Sequence, residues 1–196
     1  YQLSREGASY EGEFSQRALF EFTCVALARK AIADGDYDAA HAYMDHASEL
    51  KPNMLYGPRM HRGHATWWYW KGVAFEKAGD MDQARECWRL AEEMPEPSVI
   101  AAPSTYYRYL AMRKRGTLPS IEVLKARRDE TIQHSRYVGM TGCERLEILA
   151  LIHCTVEDFA AAKKDIDEAW KLYKKNPRLL ELRRVIGRKR LPYWEE

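Results

Sequence analysis

Three tryptophans and a tyrosine occupy four consecutive positions in the stretch HATWWYWKG: Trp67, Trp68, Tyr69 and Trp70. Clustered aromatic rings can stack on a nucleobase or a sugar, or bury themselves against a peptide, so this run is a candidate binding surface. In a helix, however, successive residues rotate by about 100°, so the four rings cannot all face one ligand. The surrounding elements must therefore decide which ring packs inside and which ring faces a partner.

Basic residues form a second candidate surface in the C-terminal half. Residues 1–100 carry 11 Lys/Arg against 16 Asp/Glu, whereas residues 101–196 carry 20 against 13, so the second half has a net charge of +7. Such runs usually form a solvated face, but an acidic protein segment or a nucleic acid would also bind them. The neighbouring aromatic segment STYYRY, residues 104–109, favours a single-stranded nucleic acid, which is bound by stacking plus phosphate contacts. The candidates are Arg113, Lys114, Arg115, Arg183, Arg184, Arg188, Lys189 and Arg190.

Catalytic and metal chemistry find little support in the residue pattern. The sequence contains no nucleophile motif, no glycine-rich phosphate loop and no paired carboxylates in a credible pocket. The four cysteines lack metal-like spacing, and the proline and glycines around His61 and His64 argue against a helical metal site. His153 has no evident acidic partner. We therefore expect a protein that is not an enzyme and that binds no cofactor and no metal.

Composition describes an ordinary folded chain. Apolar residues make up 46% and charged residues 31% of the 196 residues, enough for one or two compact units or a short repeat array. No apolar run approaches the roughly 20 residues that cross a bilayer, and the start YQLSREGASYEGEF has no apolar signal-peptide core. The scattered cysteines are typical of small buried residues in a reducing cytosol. We expect a cytoplasmic protein without a membrane partner.

The elements that must position the candidate residues are helices, because there is no sustained period-two alternation. Residues 26–53 and 73–97 both read as a helix, a Gly-Asp turn, a second helix with alanines seven residues apart, and then proline. Residues 146–177 repeat the pattern with Asp158 at the turn. Aligning the turns superimposes three small-large-small sets: Ala40, Met44 and Ala47; Ala84, Trp88 and Ala91; Ala162, Ile166 and Ala169.

The pattern has a direct physical meaning. Alanines let two helix backbones approach closely, and one large side chain between them fills the remaining gap. Glycine at the turn tolerates the left-handed conformation that ends a helix, and the following aspartate caps the next helix. The sequence therefore predicts helical hairpins.

These hairpins resemble the tetratricopeptide repeat, a 34-residue pair of antiparallel helices. Lys71, at a usually apolar position, and Glu157, where glycine is usual, depart from the family pattern. The resemblance implies an all-α fold, a right-handed α-solenoid forming a single domain over residues 14–190. We expect three clear repeats at residues 21–54, 65–98 and 143–176, a degenerate repeat at 99–142, a capping helix at 177–190, an extended lead-in at 1–13 and a tail at 191–196.

The resemblance also implies a concave surface, lined by the first helix of each repeat, on which family members hold extended peptides or partner helices. In that register Trp68 belongs to the core, Tyr69 faces the groove, and Trp67 and Trp70 lie on the flanks. A lysine–asparagine clamp that some members use for a terminal carboxylate is absent. The groove candidates are Phe22, Val25, Arg29, Tyr69, Val73, Lys77, Glu147 and Leu151.

Three functions follow as hypotheses. The first is a non-catalytic protein–protein interaction scaffold that binds an apolar or amphipathic peptide or helix, with Arg29 or Lys77 fixing its orientation. The second is a nucleic-acid-binding or regulatory module that uses the basic C-terminal half. The third is an oligomerisation or accessory domain of a larger protein, associating as a homo-oligomer through the terminal helix or the LPYWEE tail.

Overall fold

The computed structural model describes residues 10–48, 65–94, 102–134, 142–174 and 177–192, and these ranges are helical without any strand. The expectation of an all-α chain is confirmed for this part of the sequence. The helices are α1 (Tyr10–Ala33), α2 (Tyr37–Ser48), α3 (Ala65–Ala78), α4 (Met81–Glu93), α5 (Ala102–Arg115), α6 (Ile121–His134), α7 (Gly142–Thr155), α8 (Phe159–Leu172) and α9 (Pro177–Gly187).

The chain divides into two compact units, Tyr1–Ala91 and Glu92–Glu196. In the first unit α1 packs on α2, and α3 packs on both of them. In the second unit α7 packs on α5, α6 and α8, and α9 packs on α8. Short turns join α1 to α2, α3 to α4, α5 to α6 and α7 to α8.

One type of turn ends the first helix of each helix pair. Gly35, Gly79 and Gly116 have positive φ angles of 79°, 89° and 75°, and Glu157 occupies the same position with a φ of 60°. At each turn this residue's N–H donates to the carbonyl three residues earlier, and the next N–H donates to the carbonyl five residues before it. This pair of bonds satisfies carbonyls at the end of the helix and requires the left-handed conformation.

An aspartate caps the second helix in three of these pairs. The Oδ1 atoms of Asp36, Asp80 and Asp158 accept hydrogen bonds from the backbone N–H three residues ahead, at 3.0, 3.1 and 3.0 Å. Such a bond satisfies one of the free N–H groups of a helix start. All nine residues of the small-large-small sets that follow these caps are buried, so their predicted core role is confirmed.

Gly72 of α3 is required by packing. A Cβ atom placed there would lie 2.4 Å from Nε1 of Trp88, far closer than a real contact allows. The indole of Trp88 therefore lies directly against the α3 backbone, and its Nε1 donates to the carbonyl of Tyr69 at 3.3 Å. The aligned positions of the other two hairpins hold Ala28 and Ala150, both fully buried.

The ends of the chain differ from the predicted boundaries. Helix α1 begins at Tyr10, so residues 10–13 are helical where an extended lead-in was predicted, and residues 1–9 lie outside the described ranges. The capping helix ends at Gly187, three residues before the predicted end, because Lys189 takes a left-handed φ of 57°. Residues 193–196 of the tail are outside the described part of the chain.

Candidate peptide-binding surface

The aromatic run of α3 is packed inside the first unit. Tyr69 and Trp70 are each only 1% exposed, Trp67 is buried, and Trp68 is half-buried. The expectation that Trp68 is the core ring and Tyr69 faces the groove is therefore wrong. A helical wheel assumes one buried face. Helix α3 instead packs on α1 and α2, and Trp88 of α4 also lies against it, so several of its sides are covered.

Trp67 anchors α3 to α2. Its Nε1 donates to the carbonyl of Met44 at 2.5 Å. The ammonium of Lys71 lies 5.0 Å from the centre of the Trp67 ring and donates to the carboxylate of Asp45 at 2.6 Å. A lysine at this usually apolar position is thus accommodated by a cation–π contact and an ion pair.

Trp70 meets α1 through Arg29. The guanidinium carbon of Arg29 lies 4.9 Å from the centre of the Trp70 ring, and the ring of Tyr69 meets Trp70 edge-on with centres 5.3 Å apart. Arg29 is half-buried, and its Nε is buried without a hydrogen-bond acceptor. A guanidinium stacked on indole in this way is held in place while its donors remain unused.

The remaining groove candidates fall into two groups. Val73, Glu147 and Leu151 are buried, so the expectation that they line an open groove is corrected for the same reason as Tyr69: other helices cover that side. Val25 is half-buried and Lys77 is exposed, whereas the side chain of Phe22 lies outside the described residues. The accessible candidates that remain are Val25, Arg29 and Lys77, all in the first unit.

Most basic candidates of the second unit have partners. Arg113 donates to the carboxylate of Glu157, Arg115 to Glu92, Arg183 to Asp167 at 2.6 Å, and Arg184 to Glu181 at 3.2 Å. Lys114 and Arg190 also take part in interactions, while Arg188 and Lys189 are exposed. Arg113, Arg115, Arg183 and Arg184 are therefore engaged by carboxylates of their own unit.

The tyrosines of STYYRY do not form a stacking platform. Tyr106, Tyr107 and Tyr109 are buried in the second unit, and Tyr109 packs in one core cluster with Met112 and Leu124. Their rings are consequently unavailable to a nucleobase. The aromatic support for nucleic-acid binding is removed.

Sequence reasoning missed the surroundings of His153. This buried imidazole lies between two carboxylates, with Nδ1 3.6 Å from Asp158 and Nε2 3.6 Å from Asp165. Burial and the positive charge of Lys125 lower the pKa of His153, while Asp165 and Asp158 oppose that shift. The hairpin register could have revealed this group, because a turn at 157 brings residues on either side of it together.

Reactive sites are not evident in the described ranges. No group of three His, Cys, Asp or Glu residues there could hold a metal ion, and His61 and His64 fall outside those ranges. Burial raises the pKa of the Cys87 thiol to about 11 and that of Cys154 to about 12. Both thiols are therefore protonated and poorly nucleophilic at neutral pH.

Neither a membrane-spanning helix in the described ranges nor a relative of known function adds to this description. Among the described helices, none has the length and apolar character needed to cross a bilayer. Comparison with protein-family models, curated proteins and solved structures finds no match to this chain.

Proposed function

We propose that this chain is a non-catalytic protein-interaction scaffold, built from tetratricopeptide-like hairpins of the kind that form right-handed α-solenoids, and that it binds a peptide or helix of a partner protein. The observation that carries the proposal is the recurrence of one arrangement in α1–α2, α3–α4 and α7–α8: the same turn, the same aspartate cap and the same buried small-large-small set. Repeated hairpins of this kind commit their inner residues to packing and present extended surfaces to partners.

The proposed binding surface lies on α1 and α3 of the first unit and consists of Val25, Arg29 and Lys77. Val25 and Arg29 are four residues apart, so they share one face of α1. They combine an apolar contact with a cation, which suits an amphipathic segment.

The test is selection of peptides from a random display library against the full chain. Lys77 and Arg85 are both exposed cations of the first unit, so Lys77→Glu and Arg85→Glu make the same charge change at two places. Selected peptides should lose affinity for Lys77→Glu and keep it for Arg85→Glu. Failure to enrich any peptide, or equal affinities of the two variants, would refute the proposed surface.

Self-association is the second candidate, and one observation favours it. Leu172, Tyr173 and Leu180, at the end of α8 and on α9, expose 63%, 55% and 45% of their surfaces. Large exposed apolar side chains often mark contacts with other chains. Sedimentation of the wild type and a Leu172→Ser, Leu180→Ser variant tests this candidate, which requires a wild-type oligomer that the variant dissociates.

A further inference from the structure

We infer that Arg29 is a recognition residue for an aspartate or glutamate side chain of the bound segment, an inference that rests on the function proposed above. The guanidinium of Arg29 stacks on Trp70, whose ring is buried. This cation–π contact uses no N–H donor, so the terminal N–H groups of the guanidinium are left for another partner. The indole thus orients the donors without satisfying them.

The hydrogen-bonding state of Arg29 differs from that of comparable arginines. Four other half-buried arginines donate to a carboxylate or a backbone carbonyl: Arg89 to Glu86, Arg108 to the Glu92 carbonyl, Arg113 to Glu157 and Arg183 to Asp167. Arg29 donates to no acceptor in the ranges that the structure describes, and its Nε is withdrawn from solvent. Because Nε is enclosed, an arriving carboxylate would meet the two terminal nitrogens of Arg29, from which no described residue accepts a hydrogen bond.

The charge around Arg29 favours an anion. Lys77 follows Trp70 by seven residues, so it lies two turns further along the same side of α3. Directly after α1, the carboxylate of Asp34 is engaged by Lys30. No hydrogen bond or ion pair joins Arg29 to a carboxylate of a described residue.

A side-chain carboxylate fits this site better than other anions. The planar guanidinium fork matches the two oxygens of a carboxylate. A nucleic-acid backbone would need a row of cations, whereas Val25, one turn before Arg29 on α1, is apolar. Val25 would contact an apolar residue of the ligand next to its acidic residue. A ligand with both residues is an amphipathic segment.

The first experiment measures affinities of peptides selected against the full chain, each acetylated and amidated so that a terminal carboxylate cannot contribute. We expect an acidic residue at a fixed position, and its change to glutamine should weaken binding roughly 10- to 100-fold. Arg29→Gln should bind both peptide forms equally weakly. Arg29→Lys should bind with intermediate affinity, because lysine keeps the charge but loses the fork.

Arg85→Gln is the matched control, since it makes the same arginine-to-glutamine change at an exposed position of α4 outside the proposed surface. It should bind like the wild type. Selected peptides without an acidic position, or unchanged affinity of Arg29→Gln, would overturn the inference and leave the scaffold proposal intact.

A second measurement decides the matter even if Arg29→Gln does not fold. The Nε–H resonance of Arg29 in the wild-type chain is followed by NMR while N-acetyl-glutamate N-methylamide is added, with the glutamine analogue as the control probe. A shift with the glutamate probe alone supports the inference. No shift, or the same shift with both probes, overturns it.

Discussion

The α3–α4 and α7–α8 hairpins, one in each unit, share a backbone plan but fill it with different side chains. In α3–α4 the large residue Trp88 lies against Gly72, whereas the aligned positions of α7–α8 hold Ile166 and Ala150, both fully buried. A larger side chain on one helix is thus accompanied by a smaller residue on the other. The large and small residues of each hairpin are therefore matched to each other. Exchanging only one of them between hairpins would leave a clash or a cavity.

The same two hairpins differ at the turn and in polarity. Gly79 adopts its φ of 89° without steric cost, whereas Glu157 adopts a φ of 60° that strains a residue with a side chain. Four residues before the turn, α3 has Phe75 and α7 has His153. The α7–α8 hairpin therefore carries backbone strain and a buried titratable group that the α3–α4 hairpin lacks at these positions.

The most severe test of this complementarity is Gly72→Ala. The added Cβ would clash with Trp88, so we expect a loss of roughly 1–3 kcal/mol in the free energy of unfolding. Combining it with Trp88→Met imitates the pair Ala28 and Met44 of the first hairpin, and the double variant should lose less than the sum of the single ones.

Urea unfolding followed by tryptophan fluorescence measures these losses, since Trp67, Trp68, Trp70 and Trp88 lie in the first unit. Ala150→Gly in α7 is the opposite change, because it removes a methyl group at the position aligned with Gly72 instead of adding one. Strictly additive effects of Gly72→Ala and Trp88→Met would show that the two positions are independent.

The turns provide a test of intermediate size. Gly79→Ala should destabilise the chain by about 1–2 kcal/mol, because alanine resists the left-handed conformation. Glu157→Gly should stabilise it by up to about 1 kcal/mol, less the small value of the exposed ion pair with Arg113.

Equilibrium urea unfolding of both variants checks these signs. Glu157→Ala serves as the control, since it removes the ion pair with Arg113 while keeping a side chain in the strained conformation. If Glu157→Gly and Glu157→Ala behave alike, the ion pair and not the backbone determines the effect.

The smallest expected effect is a pH dependence of stability from His153. It is small because Asp165 and Asp158 partly offset the lowering of the His153 pKa by burial and Lys125. Its pKa is lowered in the folded state, so the unfolded chain binds the proton first, and stability falls as the pH drops through the ordinary histidine value of 6.5. His153→Phe with Asp165→Cys copies Phe75 and Cys87 from the α3–α4 hairpin.

Urea midpoints between about pH 7.5 and 5.5 give the slope for the wild type and this double variant. The variant should lose part of the slope. His41, whose pKa is also lowered by burial and by Lys71, contributes to the remainder. A variant that keeps the full slope would exclude His153 as a source.

Local features of the fold were predictable from the sequence. A turn glycine, an aspartate cap and alanines at fixed distances depend on residues within about three turns of one another, so Gly79, Asp80 and Ala84 could be interpreted without knowing any distant contact. Glu157 was recognised as a departure, but the structure was needed to show that it adopts the same left-handed turn. The exposure of Tyr69 was not predictable, because it depends on which helices cover α3.

By itself the sequence determined an all-α chain, the positions of its turns and caps, and the buried small-large-small sets, since these follow from helix periodicity and local backbone conformation. The tertiary structure alone decided that Tyr69 is buried, that Arg29 stacks on Trp70 without an acceptor, and that His153 lies between two carboxylates. Those outcomes depend on side chains brought together from different helices, and the packing of one helix on another selects which face of each is covered.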